Sequence, residues 1–262
     1  MYILERILET LPDGEVEQVT IGLRWTGVVV RVAGQRRCGL SSTLGSDRKH
    51  GGMFSIPEAG RLASLSSQHL AEFALQKDNP TLASLGVAAI NALLPDPDPE
   101  RSVDANADEL LARLGSEKSV AIIGHFPFVP DLREVAGELF VIERAPRDDD
   151  LPADQAPEIL PQCNVVGITG MTLANHSFET LLEYCSDEAT LMLLGPSTPF
   201  SDVLFDAGID ILSGSIITDI DAVMRAVAQG ARFPQIHQAG VRLTNLARSK
   251  EIAVKFAHGI NI

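Results

Sequence analysis

The sequence has little cysteine and no long apolar run. Its three cysteines, Cys38, Cys163 and Cys185, are widely spaced and form no CxxC pair, which argues against a disulfide framework or a structural zinc site. We therefore expect buried free thiols. No stretch approaches the roughly 18 consecutive apolar residues of a membrane-spanning helix, and the first residues lack the basic-then-apolar order of a signal peptide. These absences predict a cytoplasmic protein.

Positive charge is also scarce. The chain has 21 Lys and Arg against 35 Asp and Glu, a net charge of −14. Residues 97–262 hold 12 basic and 25 acidic side chains, against 9 and 10 in residues 1–96. Because so acidic a surface repels phosphate backbones and anionic headgroups, we expect neither nucleic acid nor membrane as a partner. The simplest role of this charge is solubility.

A proline-rich stretch divides the chain, which at 262 residues and 45% hydrophobic content is long enough for two cores. Pro95, Pro97 and Pro99 stand at alternate positions between residues 94 and 102. Proline removes backbone donors and disfavours helix and central strand. We therefore predict one domain over residues 1–96 and a second over residues 97–262.

The first domain is predicted to be α+β. Alternation of apolar and polar residues predicts a three-stranded antiparallel meander, and spacings of three and four predict helices. The strands are expected near residues 19–23, 28–32 and 36–40, and the helices near residues 3–11, 67–76 and 81–94. A polar, glycine-rich stretch over residues 41–52 lies between them.

The second domain alternates short apolar runs with amphipathic segments, the pattern of a Rossmann-like domain with a mainly parallel sheet. Strands are expected at residues 119–124, 139–143, 164–169, 190–194 and 209–212. Helices are expected at residues 107–114, 130–136, 153–160, 173–185 and 219–229. Residues 235–262 are expected to form a helix or an edge strand.

Glycines, hydroxyls and an amide follow the predicted strands. Ligands of open parallel sheets bind outside the carboxyl ends of the strands, where glycine lets backbone approach closely. The candidate ligand-binding residues at these ends are Gly124, Thr169, Gly170, Thr172, Asn175, Gly195, Ser197, Thr198, Ser213 and Gly214. At any one position the simpler alternative is that Thr, Ser or Asn only caps a helix.

Two common signatures are missing at these strand ends. Glu143 lies where a ribose-binding acid would follow the first strand, but bulky residues from His125 onwards replace the later glycines of a dinucleotide-binding loop. The sequence Gly195-Pro-Ser-Thr-Pro199 is not a nucleophile elbow, because proline precedes the serine and the last glycine is absent.

Histidines and carboxylates at the strand ends suggest a metal site. His125, Glu143 and Asp219 are the candidate ligands, with His176 as a further member and His50 in the loop of the first domain. Imidazole and carboxylate suit a divalent transition metal such as zinc, iron, nickel or cobalt. No local spacing such as HxxxH supports the site.

Several motifs together resemble the putative heavy-metal chelation family, formerly a domain of unknown function. They are Ala121-Ile-Ile-Gly-His-Phe-Pro127, Val141-Ile-Glu-Arg144, Val166-Gly-Ile-Thr-Gly-Met-Thr-Leu-Ala-Asn175, Leu194-Gly-Pro-Ser-Thr-Pro199 and Leu204-Phe-Asp-Ala-Gly208. Residues Cys38–Thr43 and Leu85–Leu94 resemble the enolase N-terminal-like domain that usually precedes it. The resemblance implies that domain joined to a Rossmann-like domain, without enolase activity. It transfers no catalytic residue, and Met171 stands where a smaller residue is expected.

Three hypotheses remain open. The first is binding of a metal or a metal-bearing small molecule in a cleft between the domains. The second is an enzyme that acts on a small anionic metabolite without metal, with His125 and Glu143 as the catalytic acid–base pair. The third is a structural partner protein with a vestigial cleft. A homodimer is plausible because the meander leaves strand edges to cover.

Overall fold

The computed structural model describes residues 2–45, 55–103 and 105–257. Much of the predicted polar stretch over residues 41–52, with His50, lies outside these residues. Two sheets organise the described chain. We call residues 2–94 the meander unit and residues 95–257 the sheet unit.

The meander unit contains the predicted antiparallel sheet and packs it on helices. Its strands, in the order β1-β2-β3, are β1 (Glu15–Ile21), β2 (Trp25–Val32) and β3 (Gln35–Ser42). Its helices are α1 (Ile3–Leu8), α2 (Ser67–Glu72) and α3 (Pro80–Leu93). The predicted α+β arrangement is confirmed, although α1 ends three residues early and α2 gives way to a 3-10 turn at Phe73–Leu75. The Asn79 side chain accepts a hydrogen bond from Leu82 N and so caps α3.

The sheet unit has an eight-stranded sheet. Its strands are β4 (Ser102–Val103), β5 (Ser119–Ile123), β6 (Glu138–Glu143), β7 (Leu151–Pro152), β8 (Val165–Thr169), β9 (Thr190–Leu194), β10 (Ile211–Ile217) and β11 (Val241–Ala247). Its helices are α4 (Ala107–Gly115), α5 (Val129–Val135), α6 (Ala156–Ile159), α7 (Met171–Ala174), α8 (Phe178–Tyr184), α9 (Asp202–Asp206), α10 (Ile220–Ala228), α11 (Phe233–Gln238) and α12 (Lys250–Ala257).

The strand order is β4-β11-β10-β9-β8-β5-β6-β7. The five strands predicted from apolar runs pair in parallel at its centre, and β11 runs antiparallel to β10. The predicted mainly parallel, Rossmann-like sheet is therefore confirmed. The sequence did not decide whether residues 235–262 form a helix or an edge strand. The described part, residues 235–257, contains both, because it includes β11, α12 and most of α11.

One predicted helix is wrong. The apolar spacing over residues 173–185 predicts a continuous helix, but α7 ends at Ala174 and α8 begins at Phe178. The Asn175 side chain accepts hydrogen bonds from Ser177 N and Ser177 Oγ, at 3.1 and 2.6 Å, and His176 adopts a left-handed φ of +59°. Polar side chains that bond the local backbone compete with the helix here.

The two units share hydrophobic core, and one of the shared clusters joins Trp25 to Val223. A single cluster of buried side chains runs from α1 and α3 of the meander unit to β8 and β9 of the sheet unit, and includes Leu85, Ile168 and Leu193. Ser42 N at the end of β3 donates to Ser197 Oγ after β9, at 2.9 Å. Within the described ranges, no helix has the length and apolar character needed to cross a bilayer.

Candidate functional site

The chain reverses direction across the sheet between β5 and β8. From β5 it passes to β6 on one side, and it then crosses to β8 on the other side. The crevice at such a topological switch point is where open α/β sheets bind ligands, because the loops after the two strands turn away from each other. His125 follows β5 and Thr169 ends β8, so both predicted candidates lie at this point.

His125 and Glu143 lie side by side. Ile123 of β5 pairs with Ile142 of β6 in parallel register, which places the next residues of both strands together. One Glu143 carboxylate oxygen accepts a hydrogen bond from His125 N at 2.8 Å, and the other accepts one from Arg144 N at 3.1 Å. The carboxylate is therefore fixed at the strand ends by two backbone amides.

Asp150 completes this cluster, and the sequence interpretation missed it. His125 Nδ1 lies 3.3 and 3.2 Å from the two Asp150 carboxylate oxygens. The Asp150 side chain is only 6% exposed, whereas that of His125 is 42% exposed. Arg147 N donates to the same carboxylate at 3.2 Å. The signal available in the sequence was the acidic run of residues 148–150, directly downstream of the Glu143 strand end.

The predicted strand ends form one continuous rim. A Cβ on Gly124, whose φ is +105°, would lie 3.2 Å from Thr169 Cβ. A Cβ on Gly170 would lie 2.8 Å from Thr198 N. Farther along the sheet, Gly195 N donates to the carbonyl oxygen of Ser213 at 2.8 Å. The loops after β5, β8 and β9 therefore meet at one edge. The expectation that Ser213 and Gly214 follow a strand is wrong, because β10 continues to Ile217 and both residues lie within it.

Several predicted ligand-binding side chains are hydrogen-bonded within the protein. Ser197 accepts from Ser42 of the meander unit, Thr172 Oγ1 donates to the Thr169 carbonyl at 2.7 Å, and Ser213 Oγ donates to Asn245. Asn175 holds Ser177 in the loop described above. A Cβ on Gly214 would lie 2.8 Å from Thr198 O, so this glycine lets the loop after β9 pack on β10. These contacts support the structural role that was the alternative for each position.

Comparison with known proteins gives the family. A family model described as putative heavy-metal chelation matches residues 106–245, which is more than half of the chain, and a second model with the same description matches residues 4–94. The chain belongs to the putative heavy-metal chelation family. The resemblance found in the motifs is therefore confirmed.

Relatives match most of the chain in sequence or in fold. An uncharacterized protein of Methanocaldococcus jannaschii is 26% identical over 235 residues, covering 85% of this chain and 88% of the relative. A crystal structure of a DUF364-family protein of unknown function from Desulfitobacterium hafniense matches with a TM-score of 0.79 and 26% identity, covering 94% of this chain and 97% of that one. A DUF364-family structure from Pyrococcus horikoshii matches in fold with a TM-score of 0.77, at 21% identity and 94% and 98% coverage.

The family description raises the question of which residues would hold a metal. Of the three predicted ligands, Asp219 does not lie with His125 and Glu143. The Asp219 side chain accepts from Ala222 N at 2.9 Å and caps α10. Asp219 follows β10, which is three strand positions from β5, so roughly 14 Å of sheet separates it from His125. Across the described residues, no three His, Cys, Asp or Glu side chains are grouped so that they could hold a metal ion.

His176 lies where the two units meet, close to Gln76 and Lys77 of the meander unit. Desolvation lowers the pKa of His176 below its ordinary value, Lys77 acts in the same direction, and Gln76 and Glu179 oppose it. Its Nε2 atom is buried and has no hydrogen-bond partner in the described structure. The imidazole is therefore favoured in its neutral form in the folded state.

Replacing His176 with asparagine should flatten the acid side of the stability profile. Because the folded pKa is lowered, the unfolded state binds more protons below its own pKa of about 6.5, and wild type loses stability as pH falls from about 7 towards 5. Asparagine removes this titration and tolerates the left-handed φ. Urea unfolding at pH values across this window measures the effect. Parallel profiles for the two proteins would contradict it.

Proposed function

We propose that this protein binds a metal-bearing small molecule at the switch point of the sheet, in a cleft between the meander and sheet units. The observation that carries the proposal is the cluster of His125, Glu143 and Asp150. The docking of Ser42 on Ser197 supports the cleft, because it places the meander unit over the same edge of the sheet.

The contact with Asp150 prepares His125 for ligation. Metal-binding histidines commonly donate one ring N–H to a carboxylate as a hydrogen bond. This contact fixes the tautomer and makes the other ring nitrogen a better electron-pair donor to the metal. The buried Asp150 carboxylate lies against Nδ1, so Nε2 is the nitrogen left for a ligand. Asp150 itself is a positioning residue in this arrangement.

The donor set favours a metal complex over a bare ion. His125 and Glu143 supply two donors, whereas divalent transition metals such as zinc take four or more. Since no third protein donor joins them among the described residues, the remaining positions would be filled by the small molecule that carries the metal. This explains why a chelation function is compatible with so few protein ligands.

Nickel(II) provides the test, added as the free ion and as its citrate complex to metal-stripped protein in a calorimeter. We expect the complex to bind more tightly than the free ion, and we expect His125→Ala and Glu143→Gln to weaken its binding at least tenfold. Asp150→Asn should weaken it less, since it only orients the imidazole. The same changes at distant positions, His69→Ala and Glu138→Gln, serve as matched controls. Equal affinity in all variants would remove the proposal.

A metal-free enzyme is the second candidate, and the same histidine contact favours it. A carboxylate on Nδ1 also orients a general base, and His125 would then exchange protons with a small anionic metabolite while Glu143 assists. A thermal-shift screen separates the two functions. Stabilisation by organic anions in the presence of a chelator, lost in His125→Ala, supports the enzyme; stabilisation only with metal supports the binding protein.

A further inference from the structure

Two sulfur atoms face each other where the meander unit meets the sheet unit. Cys38 Sγ on β3 lies 3.8 Å from Met224 Sδ on α10. Gly27 on β2 leaves room for the thioether, because a Cβ there would lie 2.6 Å from Met224 Sδ. Cys38 was expected only to be a buried thiol, and the site around His125 does not use it.

A cavity of about 80 Å³ adjoins Cys38, one member of this sulfur pair. Cys38 lines the cavity and is half-buried, whereas Met224 is buried behind it. Asn91 and Thr198 line the same cavity, and Asn91 Oδ1 and Thr198 Oγ1 are buried without a hydrogen-bond partner in the described structure. Buried polar atoms usually have a partner, so water or a polar group would be expected beside these two atoms.

We infer that Cys38 and Met224 form a two-coordinate site for a soft monovalent metal ion, Cu(I) or Ag(I). Thiolate and thioether sulfur are the donors that Cu(I) prefers over oxygen and nitrogen. Binding forms one metal–thiolate and one metal–thioether bond and releases the thiol proton to solvent. The metal keeps its oxidation state, so the step requires no oxidant or reductant.

Charge selects a monovalent ion at this position. Thiolate and M⁺ together are neutral, which suits a desolvated site, whereas a divalent ion would leave a buried positive charge. Arg36, Arg37 and Asp96 line the cavity, and Arg36 is paired with Glu17 and Asp221, so the selection rests on the neutral thiolate–M⁺ pair itself. Burial raises the pKa of the Cys38 thiol to about 12, so the thiol stays protonated until a metal displaces the proton.

The sulfur pair needs little movement to accept the ion. With metal–sulfur bonds of about 2.3 Å, a linear site separates its two sulfur atoms by about 4.6 Å. The observed separation is 3.8 Å. Methionine has three rotatable bonds and adapts to such gaps, so a side-chain adjustment of Met224 can supply the difference.

Anaerobic Cu(I) titration against a chromogenic chelator tests this site. We expect one Cu(I) per chain in wild type, loss of that ion in Cys38→Ser, and at least tenfold weaker binding in the volume-conserving Met224→Leu. Cys163→Ser and Cys185→Ser are the controls, because these thiols donate instead to the backbone carbonyls of Ile159 and Leu181. X-ray absorption should show two sulfur neighbours in wild type and one in Met224→Leu.

The outcomes separate this site from simpler alternatives. Binding unchanged in Cys38→Ser, or equal affinity and one sulfur neighbour in both wild type and Met224→Leu, would overturn the proposal. Zn(II) displacing Cu(I) stoichiometrically would overturn the charge argument. Circular dichroism checks that each variant is folded, and Met224→Leu remains decisive if Cys38→Ser is not. His125→Ala should retain Cu(I), so this result is independent of the function proposed above.

Discussion

Gly86→Ala should destabilise the protein by about 3 kcal/mol or more, the upper range for overpacking a core. Gly86 lies in α3, where the helix meets the 3-10 turn after α2. A Cβ at this position would lie 2.5 Å from Ala74 Cα and 2.5 Å from the carbonyl carbon of Phe73. Because both atoms are backbone, no side-chain rotation relieves the clash, and the two helical segments would have to separate.

Urea unfolding of Gly86→Ala against Gly45→Ala measures this effect. Gly45 has no heavy atom within 4 Å of the added Cβ and lies on the exposed side of the chain. Alanine there should change stability by about 1 kcal/mol at most, mainly through the unfolded state. Similar losses in the two variants would show that α3 tolerates the added methyl group and would contradict the close approach.

Leu193→Ala should destabilise both units together. Leu193 is 0% exposed on the central strand β9 and belongs to the core cluster that both units share. Removing a buried leucine side chain costs about 2–5 kcal/mol. Trp25, the one tryptophan of the chain, lies in β2 of the meander unit and packs beside Phe233 of the sheet unit, so its fluorescence reports the junction of the two units.

The shared core predicts that Trp25 fluorescence and far-ultraviolet circular dichroism shift to lower urea by the same amount. Leu23→Ala makes the same chemical deletion at a side chain that is 77% exposed, and it should change stability by about 0.5 kcal/mol or less. A Trp25 transition that stays in place in Leu193→Ala would show that the junction around Trp25 unfolds independently of the core around Leu193.

The sequence predicted most of the strands because burial on both faces gives a recognisable pattern. The apolar runs that became β5, β8 and β9 carry few polar interruptions, and the pairing partners confirm their parallel arrangement. Helix ends were harder to predict. The periodicity of residues 173–185 continues through the break at Asn175, where local side-chain hydrogen bonds outweigh the helical pattern.

The candidate site was predictable in part. The expectation that His125 and Glu143 meet depended on adjacent parallel strands, and the structure brings them together. Asp219 was grouped with them because it also follows a strand, but one-dimensional order does not give the position of that strand in the sheet. Asp150 was missed because its approach to His125 depends on the path of the loop after β6.

The hydroxyl groups show a second limit of prediction from sequence. Ser197 and Thr172 stand after strands, where either a ligand or the protein itself could use them. Only the fold shows that Ser197 accepts from Ser42 of the meander unit. A residue type that is suited to binding is equally suited to holding a loop, and its tertiary partner decides between the two roles.

The origin of the groups at the strand ends has a consequence for how such proteins diversify. His125, Glu143 and Asp150 all come from the sheet unit, whereas Ser42 approaches from the meander unit. If the proposed function holds, the groups that contact a ligand and the unit that faces it would therefore be encoded in separate stretches of the gene. Changes in residues 2–94 would then alter the facing surface while the histidine–carboxylate cluster is inherited intact.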